Sequence, residues 1–399
     1  MTVTVGSESW WQSKKGPEWA READGNYRVT FWWRDPQGSE CYSAIQRVWV
    51  YITGVTDHHQ NARPQTMLRI AGTDVWQWQT SLSANWRGSY CFIPSDREDV
   101  FAGLEQGDAP DHAALREGWR QLLPQAIADP LNPVSWQGGR GHGVSALEMP
   151  QAPVQPGWDN PQRPTTPPGV LHWHSARLGN TRRVWVFTTG DAKADERPLA
   201  ILLDGEFWAE SLPVWPALTS LTQRGQLPPA VYLLIDAIDT ANRNHELPCN
   251  ADFWLAVQEE LLPQVRAVAP FSDRPERTLV AGQSFGGLSS LFAGLNWPER
   301  FGCVLSQSGS YWWPHRGGQQ DGLIIEQLKS GSVTANGLRI VLEAGVREPV
   351  ILRANQALYT QLHATQQSVF WRQVDGGHDA LCWRGGLMQG LIDLWEPLR

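Results

Sequence analysis

The sequence is poor in cysteine and has no long hydrophobic run. Its five cysteines are scattered over 399 residues and form no C-x-x-C pair and no zinc-ligand spacing. This pattern argues against a disulfide framework and a metal site, and it indicates free thiols in a reducing compartment. No apolar segment approaches the ~18 residues of a membrane span, and the first residues lack the basic and apolar regions of a secretory signal. We therefore expect a cytoplasmic protein without a membrane partner.

Basic residues are outnumbered by acidic ones, 33 to 41, which gives a formal net charge of −8. With no basic run, this balance argues against a nucleic-acid partner. Tryptophan is abundant instead: the chain has 23, against about five or six expected from average usage. We expect half or more of these rings to fill hydrophobic cores. The remainder favour an aromatic ligand, because tryptophan offers a large flat surface with one hydrogen-bond donor.

The chain divides into three parts by composition. Residues 1–150 contain short candidate strands rich in β-branched and aromatic side chains, such as Tyr27–Arg34 and Val75–Leu82, which predict a β-sandwich-like domain. Residues 151–170 are rich in proline and predict a linker. In residues 171–399, apolar strands alternate with helical stretches, which predicts a mostly parallel sheet covered by helices. We expect the first domain either to cover part of a substrate pocket or to support the fold.

The most informative motif is Gly282-Gln-Ser284-Phe-Gly286, which follows an apolar strand and precedes a helix rich in small residues. This context is that of the nucleophile elbow, where glycines flank a serine in a turn too sharp for larger side chains. The motif predicts a catalytic serine at Ser284. Together with the alternation of strands and helices, it predicts the α/β-hydrolase fold for residues 171–399.

A serine nucleophile needs a base to take its proton, and the base is usually a histidine held by a carboxylate. In this fold the order along the chain is serine, acid, histidine. His378 lies in a glycine-rich loop directly after the last predicted strand and is the predicted base. Two carboxylates fit the acid. We favour Glu348 over Glu343 because a proline follows it, and the start of a helix stabilises an ionised carboxylate.

An esterase also needs two N–H donors for the oxyanion that forms during acyl transfer. The backbone N–H of Phe285, directly after the nucleophile, is the first candidate. The second is expected in the loop after an earlier strand, where Asp204-Gly205-Glu206 ends an apolar run. Gly205 lets the backbone approach the site, and the N–H of Glu206 or a neighbour is the predicted donor.

These motifs, with Arg243-x-x-Glu246-Leu247 and Gly376-Gly-His-Asp379, resemble the esterase-D-like branch of the α/β-hydrolases. The aromatic β-domain before them looks like the N-terminal domain of the enterochelin esterases. The resemblance covers almost the whole chain. It implies hydrolysis of the trilactone esters of enterobactin, preferentially as its iron complex, to 2,3-dihydroxybenzoylserine units that release iron. Many members of the group use aspartate as the acid, so the glutamate departs from the commoner pattern.

A bulky aromatic trianion of this kind needs local cations and flat rings to hold it, since the net charge repels it. The candidates are Arg243, Arg347, Trp208, Trp312, Trp313 and Arg316. No metal site or other cofactor is expected, because iron arrives with the substrate, and a monomer is the default. Two alternatives stay open: another acyl enzyme of this fold, such as a feruloyl-type esterase or an acyltransferase, and a non-catalytic binding protein for an aromatic or carbohydrate ligand.

Overall fold

A computed structural model of the chain describes residues 4–60, 62–101, 112–138, 141–159, 167–315, 320–365 and 367–398. The chain forms two compact units. The first contains Met1–Pro153 and also the late segment Asp375–Cys382, and the second contains Val154–Val374 and Trp383–Arg399. Residues 160–166, in the predicted linker, lie outside the described residues. Sequence patterns did not predict that a segment near the end of the chain groups with the first unit.

The first unit is built on two antiparallel sheets. One has the strand order β1-β2-β6-β5 and the other the order β4-β3-β7-β9-β8. The strands are β1 Glu18–Arg21, β2 Tyr27–Arg34, β3 Arg47–Ile52, β4 Gln65–Thr66, β5 Leu68–Arg69, β6 Val75–Leu82, β7 Arg87–Ser95, β8 Ser135–Gln137 and β9 Gly143–Glu148. Two helices, α1 Glu8–Gln12 and α2 His112–Leu122, and a short 3₁₀ turn at Leu123–Gln125 complete this unit.

The two sheets share a core because side chains alternate along each strand. In β2 the residues Val29, Phe31 and Trp33 are buried while their neighbours are more exposed. They belong to the same apolar cluster as Val48 and Val50 of β3, which is in the other sheet. This arrangement confirms the predicted sandwich-like β-domain.

The second unit is built on an eight-stranded sheet with the order β10-β11-β13-β12-β14-β15-β16-β17. The first two neighbouring pairs in that order are antiparallel, and the remaining pairs are parallel. The strands are β10 Gly169–Ser175, β11 Asn180–Thr188, β12 Leu199–Leu202, β13 Val231–Ile235, β14 Thr278–Gln283, β15 Cys303–Gln307, β16 Arg339–Gly345 and β17 Ser368–Val374. The mostly parallel sheet confirms the predicted α/β architecture.

Helices cover both faces of this sheet. Gly294 of α7 lies against Val304, whereas Gly390 of α10 lies against Leu305, and consecutive strand residues point to opposite faces. The helices are α3 Trp215–Gln223, α4 Thr240–Glu246, α5 Ala251–Ala256, α6 Leu262–Val268, α7 Phe285–Asn296, α8 Leu323–Ser330, α9 Pro349–Ala364 and α10 Ala380–Trp395. Shorter helical turns occur at Ala194–Glu196, Phe207–Ser211, Val257–Leu261, Pro275–Arg277 and Glu396–Leu398.

Tryptophan fills both cores. Of the 23 tryptophans, the buried ones are Trp10, Trp11, Trp33, Trp49, Trp76, Trp86, Trp119, Trp173, Trp185, Trp208, Trp254 and Trp395. More than half therefore serve packing, as the sequence led us to expect. None of the helices in the described part of the chain combines the length and apolarity that a bilayer-spanning helix needs.

Candidate active site

Ser284 lies at the turn between β14 and α7 in a strained backbone conformation, with φ 59° and ψ −120°. Residues other than glycine rarely adopt a positive φ, and backbone strain of this kind is found most often at functional sites. The backbone around the serine is fixed: its N–H donates to the Gln307 carbonyl at 3.0 Å, and its carbonyl accepts from the N–H groups of Leu288 and Ser310. The Ser284 side chain remains partly exposed. This geometry is that of a nucleophile elbow.

Glycine is required on the strand side of the turn. A Cβ added at Gly282 would lie 2.4 Å from the Gly286 carbonyl carbon, far inside van der Waals contact. On the helix side, a Cβ at Gly287 would lie 2.6 Å from the Ser306 Oγ. The small residues therefore let α7 approach β14 and β15 closely, and the close approach holds the serine at the carboxyl end of the sheet.

A row of mostly buried polar side chains crosses four parallel strands next to the elbow. The strand register aligns Gln283, Gln307, Glu343 and Arg372. Gln283 Nε2 donates to Gln307 Oε1 at 2.9 Å, Gln307 Nε2 donates to Glu343 Oε1 at 2.8 Å, and Arg372 Nε donates to Glu343 Oε2 at 2.6 Å. Trp208 Nε1 donates to Gln283 Oε1 at 3.0 Å and extends the row. We call these five residues the polar row.

Glu343 is therefore engaged within the sheet. Its carboxylate has no exposed surface and forms an ion pair with Arg372. A Cβ at Gly386 would lie 2.1 Å from Glu343 Oε2, so the glycine is needed to make room for this carboxylate. These contacts describe a structural carboxylate that holds neighbouring strands together.

Glu348, the favoured acid, has different surroundings. It is buried, and its Oε2 accepts from Ser308 Oγ at 2.7 Å and from the Gly345 N–H at 2.8 Å. Trp383 Nε1 in turn donates to Ser308 Oγ at 2.9 Å. Helix α9 begins at Pro349, directly after this residue, as predicted. Glu348 thus lies in the loop after β16, where a hydroxyl and a backbone N–H fix its carboxylate.

The predicted oxyanion turn follows β12. A Cβ at Gly205 would lie 2.5 Å from the Ile235 backbone nitrogen, so only glycine fits between the turn and β13. The preceding residue, Asp204, has a positive φ of 53°. Arg243 fixes this residue with two bonds, Nε to Oδ1 at 2.6 Å and Nη2 to Oδ2 at 2.8 Å, and also donates to the Gln283 carbonyl at 3.3 Å.

Glu206 carries an unusual carboxyl group in this turn. Burial, followed by the nearby charge of Asp204, raises the pKa of Glu206 to about 7. Its Oε2 accepts from the Ala237 N–H at 2.9 Å, which only partly offsets the burial. The carboxyl group is therefore protonated over a much wider pH range than an exposed glutamate.

The structure assigns structural contacts to two predicted substrate-binding residues. Trp208 is 1% exposed and donates to the polar row, so its ring lies in the core and offers no exposed surface. Arg243 is paired with Asp204 and so holds the oxyanion turn and the elbow together. Glu246, in the same motif as Arg243, forms a buried ion pair with Arg182. Sequence alone missed these partners because each lies far along the chain.

Other predicted contacts are placed differently. Trp312 is partly exposed, and its ring centroid lies 5.9 Å from that of Phe285, the residue after the nucleophile. Trp313 packs partly buried against the apolar core. Arg347 is partly exposed in the loop between β16 and α9. Arg316 lies outside the described residues.

His378 lies between β17 and α10, in the segment that groups with the first unit. Its ring centroid is 4.9 Å from that of His59, which lies 4.2 Å from that of His58. No cluster of three or more histidine, cysteine, aspartate or glutamate side chains suited to a metal ion occurs among the described residues.

Several residues at this end of the sheet were not identified from the sequence. Ser308 and Trp383 hold the candidate acid, and Ser310 places its Oγ 3.3 Å from the Ser284 Oγ. Ser308 was detectable in principle, since it directly follows the apolar strand β15. Its positive φ of 48° carries no sequence signal, because serine has no preference for that conformation.

Comparisons with known proteins agree with this architecture. A family model described as "Enterochelin esterase, N-terminal" matches residues 28–158, and a model described as "Putative esterase" matches residues 175–394. The second match alone covers more than half of the chain. The two matches correspond to the β-rich part and to the part that carries the nucleophile elbow.

Individual relatives match over nearly the full length. The iron(III) enterobactin esterase of Escherichia coli O6:H1 strain CFT073 is 77% identical over 396 residues, covering 99% of this chain and 98% of the relative. The crystal structure of ferric enterobactin esterase from Salmonella typhimurium is 74% identical, with a TM-score of 0.95 and coverage of 98% and 99% of the two chains. An enterobactin esterase from Shigella flexneri, solved in the presence of enterobactin, is 74% identical with a TM-score of 0.93 and full coverage of both chains. The chain is therefore an ester hydrolase that belongs to the enterochelin esterase family.

Proposed function

We propose that this enzyme hydrolyses the trilactone ester bonds of enterobactin, as its iron complex and as the free ligand, to 2,3-dihydroxybenzoylserine units. The observation that carries the proposal is the strained elbow at Ser284, in a chain that matches enterobactin esterases over nearly its full length. The same similarity disfavours the feruloyl-type esterase and the acyltransferase. A purely binding protein would have no use for the conformational strain at this serine.

Hydrolysis proceeds in two half-reactions in the proposed mechanism. Ser284 Oγ attacks an ester carbonyl while His378 takes the hydroxyl proton, and the backbone N–H groups of Phe285 and Glu206 stabilise the oxyanion. The ester C–O bond then breaks, and His378 returns the proton to the departing seryl hydroxyl. A water molecule attacks the resulting acyl-enzyme in the same way, releasing the carboxylic acid and restoring Ser284. Three rounds convert the trilactone to monomers.

Glu348 is the proposed acid that orients His378. Two features support it over Glu343: its loop position after β16, and an Oε2 held by Ser308 and the Gly345 N–H. Glu343 is already neutralised by Arg372 inside the sheet. An ionised acid stabilises the imidazolium that forms when His378 takes the proton.

Iron belongs to the substrate in this proposal, and cleavage lowers the affinity for iron because the three catecholates are no longer joined in one ring. The ring of Trp312 beside Phe285 and the partly exposed Arg347 are the candidate contacts for the catecholate groups.

Iron release would take place in the cytoplasm. All five cysteines are free thiols, a state typical of a reducing compartment. The enzyme is expected to act as a monomer.

A chromatographic time course tests the proposal. Purified enzyme is incubated with ferric and with iron-free enterobactin, beside Ser284→Ala as the matched control. We expect linear trimer, dimer and monomer to appear in turn with the wild type, and a loss of several orders of magnitude in kcat for the variant.

Three outcomes would contradict different parts of the proposal. Intact trilactone with retained hydrolysis of a small aryl ester would reject the siderophore substrate while leaving the nucleophile in place. Unchanged hydrolysis by Ser284→Ala would reject the nucleophile itself. Cleavage of the iron-free ligand only would reject the proposed action on the iron complex.

A further inference from the structure

The loop that carries His378 is anchored in the first unit. Asp379, the next residue, is 5% exposed. Its Oδ1 accepts from Ser89 Oγ at 2.6 Å, and its Oδ2 accepts from the Ser89 N–H. The same Oδ1 accepts from the Leu381 N–H at 2.9 Å in the first turn of α10. One carboxylate thus joins the residue after the histidine to a strand of the β-domain and to the helix that follows.

Ser89, the β-domain residue that binds Asp379, is itself held firmly in its sheet. Ser89 lies in β7, which is flanked by β3 and β9 in the five-stranded sheet. Its carbonyl accepts from the Thr53 N–H at 3.0 Å, just after β3 ends. Because an inner strand is hydrogen-bonded on both sides, the position of Ser89 cannot drift without disturbing the whole sheet.

The other residues of the loop make similar contacts. Asp375 accepts from Ser83 Oγ, and Cys382 Sγ donates to the Arg87 carbonyl at 3.3 Å. A Cβ at Gly377 would lie 2.6 Å from the backbone nitrogen of Gly54. The residue before the histidine therefore has to be glycine so that two backbones can lie in contact. The contacts span the loop on both sides of His378.

The imidazole of His378 also has a neighbour from the β-domain. His59 lies 4.9 Å away between ring centroids, with the planes inclined by 39°. The His58 ring lies against the His59 ring at 4.2 Å between centroids, with the planes inclined by 37°, and Tyr51 Oη lies 2.6 Å from His58 Nδ1. The turn that carries both histidines is fixed to β3, since Thr56 Oγ1 donates to the Val50 carbonyl at 2.6 Å and accepts from the Ile52 N–H at 2.8 Å.

We propose that the first unit positions the general base, with Ser89 fixing the backbone beside His378 through Asp379 and His59 fixing the plane of its ring. The inference rests on the proposed pairing of Ser284 with His378. It differs from the expectation that the β-domain covers the substrate, because a positioning role affects every ester alike. Ser89 and His59 are positioning residues and have no contact with the reacting atoms in this proposal.

The test compares Ser89→Ala and His59→Ala with wild type on a small aryl ester and on enterobactin. Ser145→Ala is the matched control, since Ser145 is also buried in this unit, accepts from the Asp129 N–H at 2.9 Å, and pairs with Tyr90 rather than with Ser89. We expect kcat to fall about tenfold or more for both test variants on both esters, with KM within about twofold, because small misplacement of a catalytic group lowers the chemical step.

Two further measurements separate positioning from loss of fold. The rate at which a fluorophosphonate labels Ser284 reports activation of the nucleophile without a substrate-binding step, and it should fall in parallel with kcat. His59→Phe keeps an aromatic ring beside His378 and should recover most of the activity lost in His59→Ala. Since His59 is only partly buried, its variants are expected to fold even where Ser89→Ala is destabilised.

Three results would overturn the inference. An increase of KM for enterobactin alone would assign the first unit to substrate binding. Values of kcat within twofold of wild type for Ser89→Ala and His59→Ala would remove any role in positioning. An equal fall of kcat in Ser145→Ala would reduce the effect to general destabilisation. If wild type cleaves the aryl ester but not enterobactin, the proposed substrate is wrong. The aryl-ester kinetics of the variants would still test the positioning role of the first unit.

Discussion

Two glutamates five residues apart show how surroundings decide the role of a side chain. Glu343 has no exposed surface and pairs with Arg372, whose side chain is 27% exposed. Glu348 lies in the loop after β16 and accepts from a hydroxyl and a backbone N–H. A buried carboxylate paired with arginine inside a sheet contributes to holding the fold, whereas a carboxylate in the loop after the strand is placed as the proposed acid requires.

We therefore expect opposite effects from two conservative changes. Glu343→Gln should lower the free energy of unfolding by about 2 to 3 kcal/mol, because it removes the buried partner of Arg372 and leaves only the longer ion pair with Asp393. It should change kcat little in the protein that remains folded. Glu348→Gln should lower kcat by about one to two orders of magnitude with a smaller loss of stability. Urea denaturation and aryl-ester kinetics on both variants measure the two effects, and each variant is the control for the other. The reverse pattern would transfer the acid to Glu343.

Residue identities alone could not predict these partners. Arg372 lies 29 positions after Glu343, and the two meet only because β16 and β17 are neighbouring strands in register. The role of Trp208 could not be predicted for the same reason, because nothing in the neighbouring sequence shows that its indole N–H has a buried acceptor in Gln283. A local motif predicts the nucleophile. Hydrogen bonds between residues far apart in sequence determine which side chains near that serine have a structural role.

At the scale of elements, the active-site end of the sheet is made by turns that follow parallel strands. Three non-glycine residues with positive φ, Asp204, Ser284 and Ser308, lie just after β12, β14 and β15. Strained turns of this kind persist only where neighbouring elements hold them. The polar row provides such support, since Gln283 and Gln307 are the last residues of β14 and β15 and Trp208 lies in the helical turn that follows β12.

Substitution of a single glycine should therefore disturb the oxyanion turn. In Gly205→Ala the new methyl group would meet the backbone of β13 at 2.5 Å, so the turn has to move away. We expect kcat to fall by about 10²-fold, as for loss of one oxyanion donor. Gly169→Ala in β10 is the control, since its nearest neighbour would be 3.9 Å away. Steady-state kinetics on an aryl ester measures both variants, and an unchanged kcat in Gly205→Ala would remove this turn from catalysis.

The elements themselves were largely predictable. Strands β2 and β6 were predicted with the bounds that the structure gives, because both runs are rich in β-branched and aromatic residues. The elbow was predictable because its strand, turn and helix are contiguous. The grouping of residues 375–382 with the first unit was not, since their partners Gly54, Ser83 and Ser89 lie 290 to 323 residues earlier.

At the scale of the whole molecule, charge affects how the proposed substrate approaches. The chain carries a formal charge of −8, and ferric enterobactin is a trianion. Long-range repulsion slows such an encounter, and salt screens it over about 10 Å at 0.1 M. Local contacts then have to compensate for the repulsion once the ligand has arrived.

We expect kcat/KM for ferric enterobactin to rise severalfold between about 20 and about 200 mM salt, because screening weakens the repulsion. A neutral aryl ester is the control, and its kcat/KM should stay within about twofold over the same range. Initial rates at low substrate concentration measure both. A fall of kcat/KM with salt for the siderophore would show that nearby arginines, rather than net charge, govern the encounter.

The grouping of residues 375–382 with the first unit also affects how the protein folds during its synthesis on the ribosome. Pro153 leaves the ribosome early, but the β-domain cannot complete its hydrogen bonds to Asp375 and Asp379 until translation has passed Val374. Domains usually fold in order of synthesis. In this chain the β-domain is synthesised first but is completed by a segment that is synthesised last, and that segment carries the proposed general base, His378. A nascent chain stalled short of this segment would therefore be both incompletely folded and inactive.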